Sequence, residues 1–196
     1  MAGRLTLDPQ RTALLVMDYQ NGIIAQLHDT DRLLDGVRTA VDNVRGRGGH
    51  IIWVRVAFTD ADFEAIPATS MFAALTSGDR RPELHTDASA TQIHSQLKPK
   101  PDDRIVRKTR VGAFSTTNLD EHLRGRAITT LVLAGLSTSG VVLTTVREAM
   151  DRDYQIVVLH DACADRDADI HRFLTERLFP GRTHVMSVGD LETLWE

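Results

Sequence analysis

Short apolar runs alternate along this chain with longer stretches whose apolar residues recur at helical spacing. The run at residues 13–17 is followed by such a stretch at residues 31–47, which ends at Gly48 and Gly49. Further strands are predicted at residues 50–55, 104–108, 130–135, 155–160 and 183–188, and helices at residues 118–124, 139–152, 167–178 and 190–195. Strands that are apolar on both faces and separated by helices indicate a parallel sheet with helices packed on both of its faces. We therefore predict an α/β fold, a three-layer α/β/α doubly wound sandwich with a mainly parallel sheet of about six strands.

The composition is that of a globular domain, and we expect residues 1–196 to form one such domain. Hydrophobic residues make up 42% and charged residues 26%, which argues against disorder. The net charge is -4, with arginines and aspartates interspersed, so we expect no nucleic-acid partner. No apolar run approaches the roughly 20 residues that span a bilayer, so we expect no membrane partner. The single cysteine, Cys163, and residues 1–5, which lack a signal-peptide pattern, favour the cytoplasm.

The segment at residues 58–101 has little periodicity and contains four prolines, Pro67, Pro82, Pro99 and Pro101. It is too long to be an ordinary connection between two elements. We predict one helix within it, near residues 88–97. Its expected role is that of a lid or a partner surface.

Ligands of doubly wound sheets bind at the carboxyl ends of the strands, which here selects Asp18, Lys108, residues 135–140 and Asp161. A partly desolvated carboxylate such as Asp18 can exchange protons with a substrate, and a nearby lysine can stabilise its charge. The alternatives are a turn aspartate and a lysine that protects the edge of the sheet.

Backbone N–H groups in the turn at residues 135–141 can bind an anion, although an ordinary connecting turn has the same pattern. The histidines are scattered without the spacing of a metal site, so we expect no metal and no cofactor. Cys163 follows a strand, where a cysteine is usually inert but can be reactive if it lies near a ligand.

Four segments carry a resemblance to a known family. They are LVMDYQN at 15–21, KTRVGAF at 108–114, LAGLSTSGVVLTTVR at 133–147 and HDACAD at 160–165. Together they resemble the isochorismatase-like hydrolases, a superfamily of mostly cysteine hydrolases that includes nicotinamidases and carbamoylsarcosine amidohydrolases. The resemblance spans about residues 12–188. It implies the sandwich fold, a small-molecule substrate or ligand, and a homodimer or homotetramer.

The resemblance also implies a site. Amidohydrolases of this family use an Asp–Lys–Cys triad, and Asp18 and Lys108 fall on its first two positions. The third position, six residues after Gly135, holds Val141, so the nucleophilic cysteine is missing. Cys163 matches a different, later position. The family's metal-binding members carry an Asp-x-His pattern that residues 55–59 lack.

A substrate and oxyanion pocket is implied around this triad, and its expected residues are Gln20, Phe114, Ser137, Thr138 and Val141. The family places a non-proline cis peptide bond after the strand glycine, here at 136–137 or 137–138. That bond directs the backbone N–H groups of Ser137 and Val141 at a substrate oxygen.

Three functions are compatible with these residues. The first is a hydrolase in which Asp18 and Lys108 perform acid–base chemistry without a covalent intermediate. Isochorismatases act in this way on a vinyl ether, where a carboxylic acid protonates the alkene carbon and water adds. The second is a non-catalytic binding protein. The third is an amidohydrolase with another nucleophile, such as Ser137 or Ser139.

Overall fold

The computed structural model describes residues 5–76 and 80–195, which contain one six-stranded parallel sheet. Its strands are β1 (Thr12–Met17), β2 (His50–Val56), β3 (Arg104–Lys108), β4 (Thr130–Leu136), β5 (Gln155–Ala164) and β6 (His184–Met186). Their order in the sheet is β3-β2-β1-β4-β5-β6. The strand order therefore reverses between β1 and β4, as in doubly wound sheets.

The helices lie between and beside these strands. They are α1 (Asn21–Ile24), α2 (Thr30–Gly46), α3 (Asp60–Glu64), α4 (Met71–Leu75), α5 (Arg81–Leu84), α6 (Leu119–Arg124), α7 (Leu143–Met150), α8 (Ala168–Phe173) and α9 (Val188–Leu191). One π-helical turn, Thr138–Val142, leads into α7, and another, Leu174–Leu178, follows α8. Gly48, just beyond α2, has a φ of 86°, which explains why glycine ends that helix.

Both faces of the sheet are buried, because alternate residues of each strand point to opposite sides. Leu15 and Met17 of β1 pack in one core with Val146 of α7. Leu14 of β1 packs on the other face in a core that includes Val37 of α2. The predicted three-layer α/β/α sandwich is therefore confirmed.

The long segment at residues 58–101 differs from its prediction. Instead of a helix near residues 88–97, it has only the 3₁₀ turn Ser89–Thr91 there, while its α-helices are the short α3, α4 and α5. Local capping starts the first of them, since Thr59 and Asp62 form a capping box. A helix of five residues that begins at a capping box is too short to show helical periodicity in the sequence. Residues 77–79 of this segment lie outside the described residues.

A small aromatic core holds this segment against the sheet. The ring centroids of Phe58 and Phe63 are 5.3 Å apart, and those of Phe58 and Phe72 are 5.8 Å apart. Val56, at the end of β2, packs against the same cluster. The aromatic core therefore fixes α4 beside the carboxyl end of β2.

In the described part of the chain, no helix combines the length and the apolar character that crossing a membrane requires. Residues 1–4, where the sequence predicts no signal peptide, lie outside the described residues.

Candidate active site

Asp18 directly follows β1, and a neighbouring strand of the sheet holds its backbone. Its N–H donates to the carbonyl of Val54 in β2 at 2.8 Å, and its own carbonyl accepts from the N–H of Gln20 at 2.8 Å. Its φ of 61° is left-handed, which is uncommon for a residue with a side chain and often marks functional positions. The position of the Asp18 carboxylate is therefore set by the sheet and a tight turn.

Lys108 ends β3 at the edge of the sheet, yet its side chain is only 2% exposed. Its Nζ lies 2.8 Å from Oδ2 of Asp18 and donates to the carbonyls of Arg110 and Val111 at 3.1 and 2.9 Å. A lysine that protected the edge would be exposed to solvent. The structure instead brings Asp18 and Lys108 together as a buried ion pair.

The two oxygens of the Asp18 carboxylate have different surroundings. Oδ2 contacts the ammonium of Lys108, while Oδ1 is buried and has no hydrogen-bond partner in residues 5–76 and 80–195. Burial raises the pKa of Asp18, while the charge and hydrogen bond of Lys108 and a weaker backbone interaction with Val56 oppose that rise. The raised pKa favours the protonated carboxyl group, and Oδ1 makes no hydrogen bond to the described residues.

The turn after β4 begins with a cis peptide bond between Leu136 and Ser137, which confirms one of the two expected positions. Ser137 caps the π-helical turn, because its Oγ accepts the N–H of Gly140 at 3.1 Å. A Cβ on Gly140 would lie 2.8 Å from that oxygen, so a larger residue there would require the Ser137 hydroxyl to move away from its capping position. The N–H of Ser139 donates to Asp165 at 2.6 Å, which ties the turn to the segment after β5.

A cavity of about 180 Å³ lies between the ion pair and this turn. The polar part of its lining consists of Asp18, Lys108, Ser137 and the backbone at Gly140. The apolar part is formed by Val56, Phe72, Val111, Leu136 and Val141. Since ligand pockets usually measure 300–1,000 Å³, this cavity suits a small reacting group.

Four of the residues expected at the site line this cavity, namely Asp18, Lys108, Ser137 and Val141. Gln20 is outside the cavity lining, and its amide binds the N–H and the carbonyl of Val56, each at 2.8 Å. The same amide donates to the carbonyl of Thr91 at 2.8 Å. Gln20 therefore joins β1 to β2 and to the long segment, and its contact with a substrate stays a prediction.

Phe114 and Thr138 also lie outside the lining. Phe114 is buried in the core, where its ring stacks on Tyr154 with centroids 6.1 Å apart. Thr138 is fully buried, and its Oγ1 lies 2.8 Å from Nδ1 of His171. Phe114 lies in the segment that follows β3 and carries Val111, and Thr138 lies in the turn that carries Ser137 and Val141. Direct substrate contact by Phe114 or Thr138 stays a prediction.

Sequence reasoning missed the apolar walls Val56, Phe72 and Val111. Val56 is the last residue of β2, and Val111 lies three residues after the end of β3. The rule that ligands bind at the carboxyl ends of parallel strands could therefore have identified both. Phe72 lies on the short helix α4 in the segment without periodicity, and no pattern in the sequence points to it.

Cys163 lies in the core and outside the cavity lining. It is 4% exposed, and its Sγ lies 3.9 Å from the carbonyl of Leu133. Burial raises the pKa of its thiol to about 12, so the thiol is neutral at physiological pH. Asp161 is also outside the lining, where it accepts the N–H of Val188 at 2.8 Å.

Residues 5–76 and 80–195 contain no group of three or more histidine, cysteine or acidic side chains able to hold a metal ion.

Comparison with known proteins matches residues 12–190 to the isochorismatase domain. The chain is 32% identical over 180 residues to the uncharacterized isochorismatase family protein YwoC of Bacillus subtilis, with 92% of each chain covered. It is 33% identical over 177 residues to the ureidoacrylate amidohydrolase RutB of Cronobacter turicensis, covering 81% of this chain and 76% of the relative.

Solved structures show the same fold. An isochorismatase family protein from Burkholderia thailandensis superposes with a TM-score of 0.82 at 28% identity, covering 97% of both chains. The N-carbamoylsarcosine amidase of Thermoplasma acidophilum superposes with a TM-score of 0.73 at 24% identity, covering 91% of this chain and 96% of that one. The matched domain, the strand order and these similarities lead to one conclusion: this chain belongs to the isochorismatase family.

Proposed function

We propose that this protein is a hydrolase of small metabolites in which Asp18 is the general acid and base, supported by Lys108, without a cysteine nucleophile. One observation carries the proposal. The Asp18 carboxylate lines the cavity with one oxygen held by Lys108 and the other buried and unpartnered among the described residues. Leaving a polar atom buried without a partner costs free energy, and such sites are often functional.

The absence of a cysteine nucleophile rests on Val141 and Cys163. Val141, at the position where the resemblance places the thiol, lines the cavity and is 2% exposed. Cys163 is a neutral thiol in the core, separate from the cavity lining. We therefore propose that no thioester forms during turnover.

The proposed reaction uses both protonation states of Asp18. On a vinyl ether, the protonated carboxyl donates its proton to the alkene carbon, and the resulting carboxylate takes a proton from the water that adds to the oxocarbenium carbon; the hemiketal then breaks its C–O bond to release the alcohol. On an amide the order is reversed: the carboxylate takes a proton from the water as its oxygen bonds to the carbonyl carbon, and the carboxyl then donates that proton to the nitrogen as the C–N bond breaks. Lys108 stabilises the carboxylate between the two steps. The products are a carbonyl compound and an alcohol, or a carboxylic acid and an amine.

Amide hydrolysis through a serine is a second candidate. The ureidoacrylate amidohydrolases among the relatives favour an amide substrate. Of the two candidate serines, Ser137 lines the cavity, while Ser139 is exposed and lies outside that lining. Ser137 is therefore the candidate nucleophile of this alternative mechanism.

The test is a turnover screen of vinyl ethers, amides and carbamoyl compounds, run in parallel on wild type, Asp18→Asn and Asp161→Asn. Asp161→Asn is the matched control, since it makes the same change at the same edge of the sheet. We expect turnover that Asp18→Asn loses and Asp161→Asn keeps. Turnover that persists in Asp18→Asn contradicts the proposal. So does a ligand that raises the melting temperature but is never hydrolysed, because that result supports a binding protein.

Mass spectrometry separates the two chemistries. An acyl adduct trapped on Ser137, and absent in Ser137→Ala, would contradict hydrolysis without a covalent intermediate and would support the serine mechanism. We expect no adduct.

A further inference from the structure

A larger concave surface lies at the opposite end of the sheet from Asp18, where β2 and β3 begin. It encloses about 660 Å³. Its charged lining includes Arg45, Lys100, Arg104 and Arg126, together with the imidazoles of His50 and His122. We call these six residues and the space between them the basic cleft. Arg104 and Lys108 are the two ends of β3, about 13 Å apart at 3.3 Å per residue, so the cleft is separate from the candidate active site.

The floor of the basic cleft is fixed by Asp103. Its Oδ2 accepts from Nη2 of Arg45 at 2.7 Å, from Nε1 of Trp53 at 2.8 Å and from the backbone N–H of Lys100 at 2.8 Å. The side chain of Asp103 is 7% exposed. Because Arg45 is the charged group paired with this carboxylate, Asp103 and Arg45 compensate each other, and the excess positive charge of the cleft comes from its other cations.

The remaining cations lack acidic partners. Among the described residues, no carboxylate oxygen lies within 4.0 Å of the charged groups of Lys100, Arg104 or Arg126. Arg104 donates to the neutral amide of Asn118 at 3.3 Å, and Arg126 contacts Nδ1 of His122 at 3.1 Å. Asp102, the other carboxylate in the lining, is exposed. Positive charge therefore dominates the cleft in a chain whose net charge is -4.

The pKa of His122 is consistent with an excess of positive charge in the cleft. Its pKa is lowered first by burial and then by the charges of Arg126, Arg104 and His50. A bound anion would relieve this mutual repulsion, since it attracts each of these groups.

We propose that the basic cleft binds a small phosphate-bearing molecule of about nucleotide size. Guanidinium groups bind phosphate oxygens in a bidentate manner, and two arginines and a lysine that have no acidic partner in residues 5–76 and 80–195 surround the space. Its volume falls within the 300–1,000 Å³ typical of small-molecule sites. None of these residues belongs to the proposed catalytic machinery, so the two sites are tested independently.

The test uses inorganic pyrophosphate as the probe, titrated calorimetrically at about 50 mM ionic strength to limit screening. The key variant is Arg104→Gln combined with Arg126→Gln, both at exposed positions. The matched control is Arg32→Gln combined with Arg177→Gln, which removes the same charge from exposed positions elsewhere. Circular dichroism checks that every variant is folded.

We expect saturable binding of one pyrophosphate per chain, weakened at least tenfold in the first double variant and less than twofold in the control. Absence of saturable binding to wild type, or equal weakening in both double variants, overturns the proposal. Citrate and a short oligonucleotide are the competing probes. If citrate binds as tightly as pyrophosphate, the cleft does not select phosphate, and if only the oligonucleotide binds, the ligand is not a small molecule.

Discussion

The Nζ of Lys108 lies 2.8 Å from Oδ2 of Asp18, although the strands that these residues end are separated in the sheet by β2. Both side chains are nearly inaccessible, at 2% and 7% exposure. A buried ion pair often stabilises a fold no better than apolar side chains of similar volume. The position of this pair at the carboxyl edge of the sheet therefore favours a role in chemistry over one in stability.

Asp18→Asn removes the proposed acid and base while keeping the shape of the side chain. We expect the rate constant of hydrolysis to fall by about 10²–10⁴, the usual contribution of general acid–base catalysis. Steady-state kinetics on a substrate from the screen measures it. Asp161→Asn should stay within about twofold of wild type. A fall confined to KM would contradict the assignment of Asp18 to the chemical step.

The raised pKa of Asp18 makes folding stability depend on pH. The folded state binds this proton more tightly than the unfolded state. The contribution is therefore fully present below the ordinary carboxyl pKa of 3.8 and is lost as the pH rises through the folded value. The free energy of unfolding of wild type minus that of Asp18→Asn should decrease from pH 4 upward, by at most about 1.4 kcal/mol per pH unit. Urea unfolding measures it, and an increasing difference would show that the pKa is lowered.

Lys108→Met leaves the Asp18 carboxylate buried without its partner. We expect a loss of about 3–5 kcal/mol in the free energy of unfolding at pH 7, as when other buried pairs are broken. The loss should be smaller at pH 4, because a protonated Asp18 no longer needs the ammonium. Lys98→Met is the control at an exposed lysine and should change stability by less than about 0.5 kcal/mol. An equal loss at pH 4 and pH 7 would contradict this explanation.

Val141→Cys introduces a thiol into the cavity lining. We expect iodoacetamide at pH 8 to label this variant once, at position 141, because that position lines the cavity with Asp18, while Cys163 lies outside the lining and has a pKa of about 12. Peptide mapping by mass spectrometry locates the label, and wild type, which should stay unlabelled while folded, is the control. Adding Asp18→Asn should slow the labelling, because the carboxylate is then unable to accept the thiol proton. Labelling at Cys163, or none at the introduced thiol, would contradict the proposed geometry.

Phe72→Ala removes an aromatic wall of the cavity and one member of the aromatic core. Phe72 is 8% exposed, so we expect a loss of about 3 kcal/mol in the free energy of unfolding and acceptance of bulkier substrates. Phe173→Ala, at a phenylalanine that is 59% exposed, is the control and should have little effect on either. Denaturant titration and the ratio of kcat/KM for two substrate sizes measure the outcome. Unchanged substrate preference would show that α4 does not shape the site.

Much of this architecture follows from local pattern. Apolar runs that alternate with helical stretches predict the sandwich, and the rule for parallel sheets selects Asp18 and Lys108 as strand-end residues. The turn from Ser137 to Val141 was also found, because its sequence carries the family resemblance. These features repeat along the chain or occupy contiguous positions, so they are visible without coordinates.

The long segment shows where pattern fails. Its helices are too short for periodicity, and two of them begin at local side-chain caps, Thr59 for α3 and Ser70 for α4. Phe72 reaches the cavity only because it packs on Phe58, and that contact is tertiary. The helix predicted near residues 88–97 was wrong for the same reason: local composition does not determine how a segment packs.

The sequence by itself determined the order of the six strands and, apart from α1, of the helices outside the long segment, the residues at the strand ends and the valine at position 141. Only the tertiary structure decided that Lys108 is buried against Asp18, that Oδ1 of Asp18 has no partner among the described residues, and that Arg45, Lys100, Arg104 and Arg126 share one cleft. The physical reason is that periodicity reports which face of an element is buried. Electrostatics depends on distances between groups far apart in the chain, which exist only once the sheet has formed.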